Sequence, residues 1–77
     1  MQVKIYTTTH CPFCVMAKDF FRKHNVKYAE VNVEKDTAAA EEMIEKSGQM
    51  GVPVIDVDGK IIVGFNKPAL ERALKIK

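Results

Sequence analysis

The chain has 77 residues, 47% of them apolar and 29% charged, and a net charge of +2. That length supports one small domain, 1–77, which buries only about 60% of the surface its unfolded chain exposes. The charge is too weak and scattered for a nucleic-acid footprint, with no more than two basic residues adjacent (Arg22-Lys23), and the apolar runs are too short to span a bilayer, so neither nucleic acid nor membrane is an expected partner.

A strand pattern opens the chain at once, Met1 to Thr7, around Val3 and Ile5. No leader segment is therefore expected, and the expected compartment is the cytoplasm. A helix is predicted from Pro12 to about His24. Proline suits its first turn, where the missing N–H would have had no helical partner. Cys14, Ala17 and Phe21 form one apolar row along it, and Phe13, Met16 and Phe20 the next. Met16, Phe20 and Phe21 read as core, Phe13 as exposed, and Asn25 as the stop. Lys27 to Val33 reads as a second strand.

Asp36 or Thr37 caps a second helix that runs to about Ser47, with Ala40, Met43, Ile44 and Ser47 inward and Glu41, Glu42, Glu45 and Lys46 on a solvated face. Gly48 supplies a left-handed stop. Pro53 to Val57 and Lys60 to Val63 are strands joined at Asp58-Gly59, the strongest hairpin signal in the chain. Asn66 caps a third helix, with Pro68 in its first turn and Leu70, Ala73 and Leu74 inward. The order is βαβ, helix, β-hairpin, helix. The first unit requires parallel strands with a right-handed crossover, and the hairpin is antiparallel. One mixed four-stranded sheet flanked by three helices satisfies both.

The two cysteines of the chain, Cys11 and Cys14, stand three residues apart in Cys11-Pro12-Phe13-Cys14. Thiols at helical i,i+3 spacing can bridge without backbone movement. The bridge closes so short a loop that its entropic leverage on stability is at the low end, which favours a redox or metal role over a structural staple. A helix start also favours thiolate. A zinc site would need His10 and His24, but His10 adjoins Cys11 and His24 lies nearly three turns further on, so the four do not converge on a tetrahedron. No metal is expected.

A CxxC at the tip of a βαβ unit, followed by Val52-Pro53 at the entry to a hairpin, resembles the thioredoxin fold. The residues Ile5-Tyr6-Thr7, Cys11-Pro12-Phe13-Cys14, Gly51-Val52-Pro53 and Gly64-Phe65 are similar to those of glutaredoxins in order and approximate spacing. The resemblance covers essentially the whole chain and implies an α/β, thioredoxin-like fold, βαβ-α-ββ-α. It implies a thiol–disulfide oxidoreductase with no cofactor beyond its redox-active cysteines, acting on disulfide-containing proteins. Cys11 would be the nucleophile and Cys14 the resolving thiol. Pro53 would be cis, with the Val52 backbone presented to an extended substrate. Pro12, Phe13, Gly64 and Phe65 would complete the substrate site.

Glutathione-using glutaredoxins typically carry a lysine where this chain has Thr8, a threonine where it has Gly51, and an acidic residue near Lys67. Gly64-Phe65 followed by Pro68 is instead similar to the ribonucleotide-reductase redoxins, which are generally reduced by thioredoxin reductase. The mixture implies a monomer reduced by a flavoprotein disulfide reductase, with glutathione weak or absent as a partner. Two alternatives stay open: a glutathione-dependent glutaredoxin, and a dimeric [2Fe–2S] cluster-binding module, which Pro12 and weak glutathione binding go against within the family.

Overall fold

In the structure, a computed structural model, residues 2–75 are described. The first strand, β1 (Val3–Thr7), is parallel to β2 (Ala29–Asn32), and the connection between them is helix α1 (Pro12–Lys23). Helix α2 (Thr37–Ser47) leads to the hairpin β3 (Val54–Val57) and β4 (Lys60–Val63), and α3 (Lys67–Leu74) follows. Both β1–β3 and β3–β4 are antiparallel, giving a four-stranded sheet in the order β2-β1-β3-β4. The sequence-based order of elements and the mixed sheet are what the fold shows. Strand β2 is shorter than the predicted Lys27–Val33, and the Met1 end of the predicted first strand lies outside the described residues.

Apolar residues sit on both faces of the central strands, because helices cover both. Val3, Ile5, Ile55 and Val57 point to the α1/α3 face and join Ala17, Phe20, Phe21, Leu70 and Leu74 in the larger core. Tyr6 and Val54 point the other way, onto Ala39 and Met43 of α2. The Asp58-Gly59 turn places both residues at positive φ, 49° and 92°, the geometry that closes a two-residue hairpin. Asp36 caps α2 by accepting the Ala39 N–H at 3.0 Å, and Asn66 caps α3 through the Ala69 N–H at 3.2 Å.

Three expectations about side-chain direction need correction. Met16 is 46% exposed, not core. It lies roughly 100° round the helix from Ala17, at the rim of the stripe that α1 buries. On α2 the inner residues are Ala39 and Met43; Ala40 is half-buried and Ile44 is exposed. Glu42 and Lys46 are not a simple solvated face. Lys4 Nζ donates to Glu42 Oε1 at 2.8 Å and Lys46 Nζ to Asp56 Oδ2 at 2.9 Å. The hydroxyl of Tyr6, a fully buried residue, donates to Glu42 and accepts from Lys46 Nζ at 3.2 Å. These bonds draw one flank of α2 onto β1 and β3.

Candidate active site

The sheet register brings four segments to one end of the molecule. Tyr6 pairs with Val54, Thr7 with Asn32, and Val54 with Val63. The exits of β1, β2 and β4 therefore lie beside the entry to β3. From that end emerge the loop to Cys11, the segment Gly51-Val52-Pro53, and Gly64-Phe65. The Val33 N–H bonds the Thr7 carbonyl and the Gly64 N–H bonds the Pro53 carbonyl, each at 2.8 Å, which ties these exits together.

Cys11 is the N-cap of α1. Its backbone is extended, and its carbonyl accepts the Val15 N–H at 3.1 Å. Its Sγ fills the place usually taken by a capping oxygen, accepting the Cys14 N–H at 3.1 Å. Pro12 follows, exposed, and contributes no N–H that would need a partner. The cysteines are joined as a disulfide with their Cα atoms 5.1 Å apart. Cys11 is 9% exposed and Cys14 only 1%. The Phe13 ring between them is 58% exposed.

The Val52–Pro53 peptide is cis, with the Pro53 side chain fully buried and Val52 half-buried. Gly64, at φ 77°, and Phe65 are half-buried. Phe65 packs edge-on to Phe20 with centroids 6.0 Å apart. Met16, Phe20, Phe65 and the stems of Lys23 and Lys67 line a shallow, mostly apolar hollow of about 450 Å³ along α1. A larger hollow of about 1050 Å³ lies towards the other end of the sheet, among Gln2, Lys4, Lys27, Tyr28 and Asp58. It holds neither cysteine, so its size does not make it the reactive site. Lys67 is exposed and makes no ion pair among the described residues. His10 is exposed, and His24 packs on the Phe20 ring at 4.6 Å.

One group beside the site escaped the sequence reading. Glu30 on β2 accepts from the buried Thr7 hydroxyl at 2.9 Å and from Lys18 Nζ at 3.0 Å, one helical turn beyond Cys14. The Lys18 bond, aided by Thr7 against the cost of partial burial, holds the Glu30 carboxyl below its usual range. Further out, Thr9 N–H donates to Glu34 Oε1 at 2.9 Å and Asn32 Nδ2 to Thr9 Oγ1 at 3.3 Å, fastening the loop before Cys11 to the end of β2. The signal for Glu30 was present: strand alternation puts it on the same face as Tyr28, toward α1.

A disulfide-bonded cysteine pair at the head of α1, a cis proline at the entry to β3 and a mixed sheet between three helices define a thioredoxin-fold thiol–disulfide oxidoreductase. The family model for glutaredoxin matches residues 3–62, and the chain belongs to the glutaredoxin family. Among its relatives, a glutaredoxin-like 8.6 kDa protein in the rubredoxin operon of Clostridium pasteurianum is 44% identical over 95% of this chain and 97% of its own length. Glutaredoxin 3 of Escherichia coli K12 is 39% identical over 80% of this chain and 75% of its own. Of solved structures, the thioredoxin-like protein BC3987 superposes with a TM-score of 0.88 at 32% identity, covering 94% of this chain and 99% of the other. The glutaredoxin-like NrdH-redoxin of Escherichia coli, described as having a thioredoxin-like activity profile, superposes with a TM-score of 0.85 at 25% identity, covering 94% and 93%.

Proposed function

We propose that the protein is a cytoplasmic, monomeric dithiol carrier that reduces protein disulfides, with electrons drawn from a flavoprotein disulfide reductase of the thioredoxin-reductase type and glutathione a poor partner. The observation that carries this reading is the asymmetry of the two sulfurs: Cys11 Sγ receives an N–H at the head of α1 and retains some exposure, while Cys14 is sealed. A thiol with a pKa near 8.5 is only about 3% ionised at pH 7; the N–H and the helix dipole both favour the charged form of Cys11 once the pair is reduced.

In the first step the Cys11 thiolate attacks one sulfur of the substrate disulfide; a Cys11–substrate bond forms and the other substrate sulfur leaves as thiolate. In the second, Cys14, deprotonated, attacks Cys11 Sγ and the remaining substrate sulfur leaves. The products are substrate dithiol and the Cys11–Cys14 disulfide, two electrons having moved to the substrate. The reductase returns the pair to the dithiol. Val52 holds the substrate as an added strand: neither its N–H nor its C=O is engaged by backbone among the described residues. Pro12, Phe13, Pro53, Gly64 and Phe65 frame the approach.

The donor assignment rests on Thr8, Gly51 and Lys67. At the first position of α3, Lys67 sets an ammonium, unpaired among the described residues, beside the place where glutathione-binding relatives present an acid to the ligand's own ammonium. The relationship to Glutaredoxin 3 favours the second reading, turnover by glutathione. One comparison separates them. Reduction of a peptide disulfide is followed with NADPH and thioredoxin reductase, then with glutathione and glutathione reductase. Fast turnover by the flavoprotein alone is expected. Equal or faster turnover with glutathione overturns the donor assignment, and activity surviving Cys11→Ser overturns the mechanism.

A further inference from the structure

Between the stop of α2 at Gly48 and the cis proline lie residues 49–52, which form no helix or strand and, among the described residues, no backbone-to-backbone hydrogen bond. Side chains alone fasten this stretch. The Ser47 hydroxyl, at the end of α2, donates to the Met43 carbonyl at 2.7 Å, accepts the Gln49 N–H at 3.3 Å and lies 3.0 Å from the Gln49 carbonyl. The Gln49 amide then turns forward, its Nε2 donating to the Gly51 carbonyl at 3.0 Å. The Gly51 carbonyl belongs to the peptide whose N–H is that of Val52, so the bond sets the plane of that peptide.

Gly51 adds an independent observation. Its φ is not in the left-handed region, so its backbone does not ask for glycine. A Cβ placed there would stand 3.2 Å from Gln49 Oε1 and 3.5 Å from Nε2. A side chain at 51 would therefore press on the Gln49 amide, the end of a flexible side chain, and move it by a few tenths of an ångström; glycine at 51 leaves the amide free to sit on the carbonyl.

We propose that Gln49 is a positioning residue for substrate recognition, fixing the Gly51–Val52 peptide so that the Val52 N–H is aimed at the backbone of an incoming extended disulfide-containing peptide. The inference rests on the reading of Val52 as the substrate-pairing strand. Gln49 touches neither cysteine and takes no part in the exchange of sulfur bonds.

The test uses the full chain and a synthetic peptide disulfide, with Gln49→Ala, Gln49→Glu and Gly51→Thr. Gln49→Glu keeps the shape of the side chain but substitutes an acceptor for the donor. Both Gln49 variants should lower kcat/KM for the peptide about fivefold, mostly through KM, the equivalent of about 1 kcal/mol for one lost hydrogen bond. The alkylation rate of reduced Cys11 by iodoacetamide should not change. Gly51→Thr, by displacing the amide, should give a similar loss, and combining it with Gln49→Ala should add nothing further. The proposal is overturned if Gln49→Glu behaves as wild type, if the peptide KM is unmoved, if alkylation slows in parallel, or if the Gly51→Thr and Gln49→Ala losses add. Failure of the parent reading is separately visible in the wild-type protein: a peptide KM unmoved by N-methylating the backbone amides beside the peptide's cysteine shows that Val52 pairs with no substrate strand.

Discussion

Cys11 and Cys14 carry the same functional group and differ only in what surrounds them. Cys11 sits before the first turn of α1, where its sulfur takes an N–H; Cys14 sits inside that turn against the core, 1% exposed. On the proposed mechanism a substrate sulfur meets the first and not the second, and the order of attack follows from that difference in access. Replacing Cys14 with serine should leave Cys11 able to form the mixed disulfide and unable to release it. Mass spectrometry without reductant should find one substrate equivalent per chain, lost on adding dithiothreitol, while steady-state reduction of the peptide falls to background. A Cys14→Ser protein that turns over peptide without accumulating adduct would require another resolving group. The spacing of the cysteines and Pro12 made the helix start legible in sequence, and the resemblance supplied the division of labour. Strand alternation marks the face of Glu30, but its meeting with Lys18 and Thr7 was not legible, because it joins β1, α1 and β2 through side chains whose approach depends on how α1 lies across the sheet.

Helix α2 shows where sequence patterning stops. Its existence, its Asp36 cap and its Gly48 stop were all readable, but its azimuth was not. Ala38, Ala39 and Ala40 are equivalent in sequence, so they cannot mark a face, and Met43-Ile44 offers two adjacent apolar side chains of which one can be central. The rotation observed puts Ala39 and Met43 inward and brings Glu42 and Lys46 to Lys4, Tyr6 and Asp56. The opposing strands supply three polar partners on that side, and Ile44 is left at the rim of the buried stripe. Truncation should report this directly. Met43→Ala, at 2% exposure, should cost about 2–3 kcal/mol by urea denaturation, whereas Ile44→Ala, at the surface, should cost less than about 0.5 kcal/mol. Comparable costs for the two would restore the face predicted from sequence, on which both were inward.

The same charged group, the polar seam between α2 and the sheet, should make the stability of the molecule depend on pH. The Glu42 carboxyl, ordinarily near 4.5, is held at about 2 by the Lys4 hydrogen bond first and then by Tyr6 and Lys46. Glu30 is lowered by Lys18, and Asp56 is lowered although burial opposes it, the Lys46 and Gly59 hydrogen bonds prevailing. A carboxyl whose folded value lies below its unfolded one stabilises the fold above the unfolded value and loses that contribution as pH falls through the folded one. The acid loss attached to Glu42 therefore begins near pH 4.5 and continues to about pH 2. Lys4 is raised above 10.5 by its bond to Glu42, and Lys46 is raised by its bond to Asp56, so their contribution is complete below 10.5 and declines as pH rises beyond it. Urea midpoints should accordingly form a plateau through neutral pH with a decline on each side. Glu42→Gln should lower the plateau and make the acid decline shallower, because a group that no longer titrates cannot lose its contribution. The side chains involved are partly exposed, so 1 M salt should shrink the difference between the two proteins. If Glu42→Gln reproduces the wild-type acid slope, the seam is not what couples the molecule to pH, and the decline belongs to carboxyls elsewhere, with Glu30 the next to substitute.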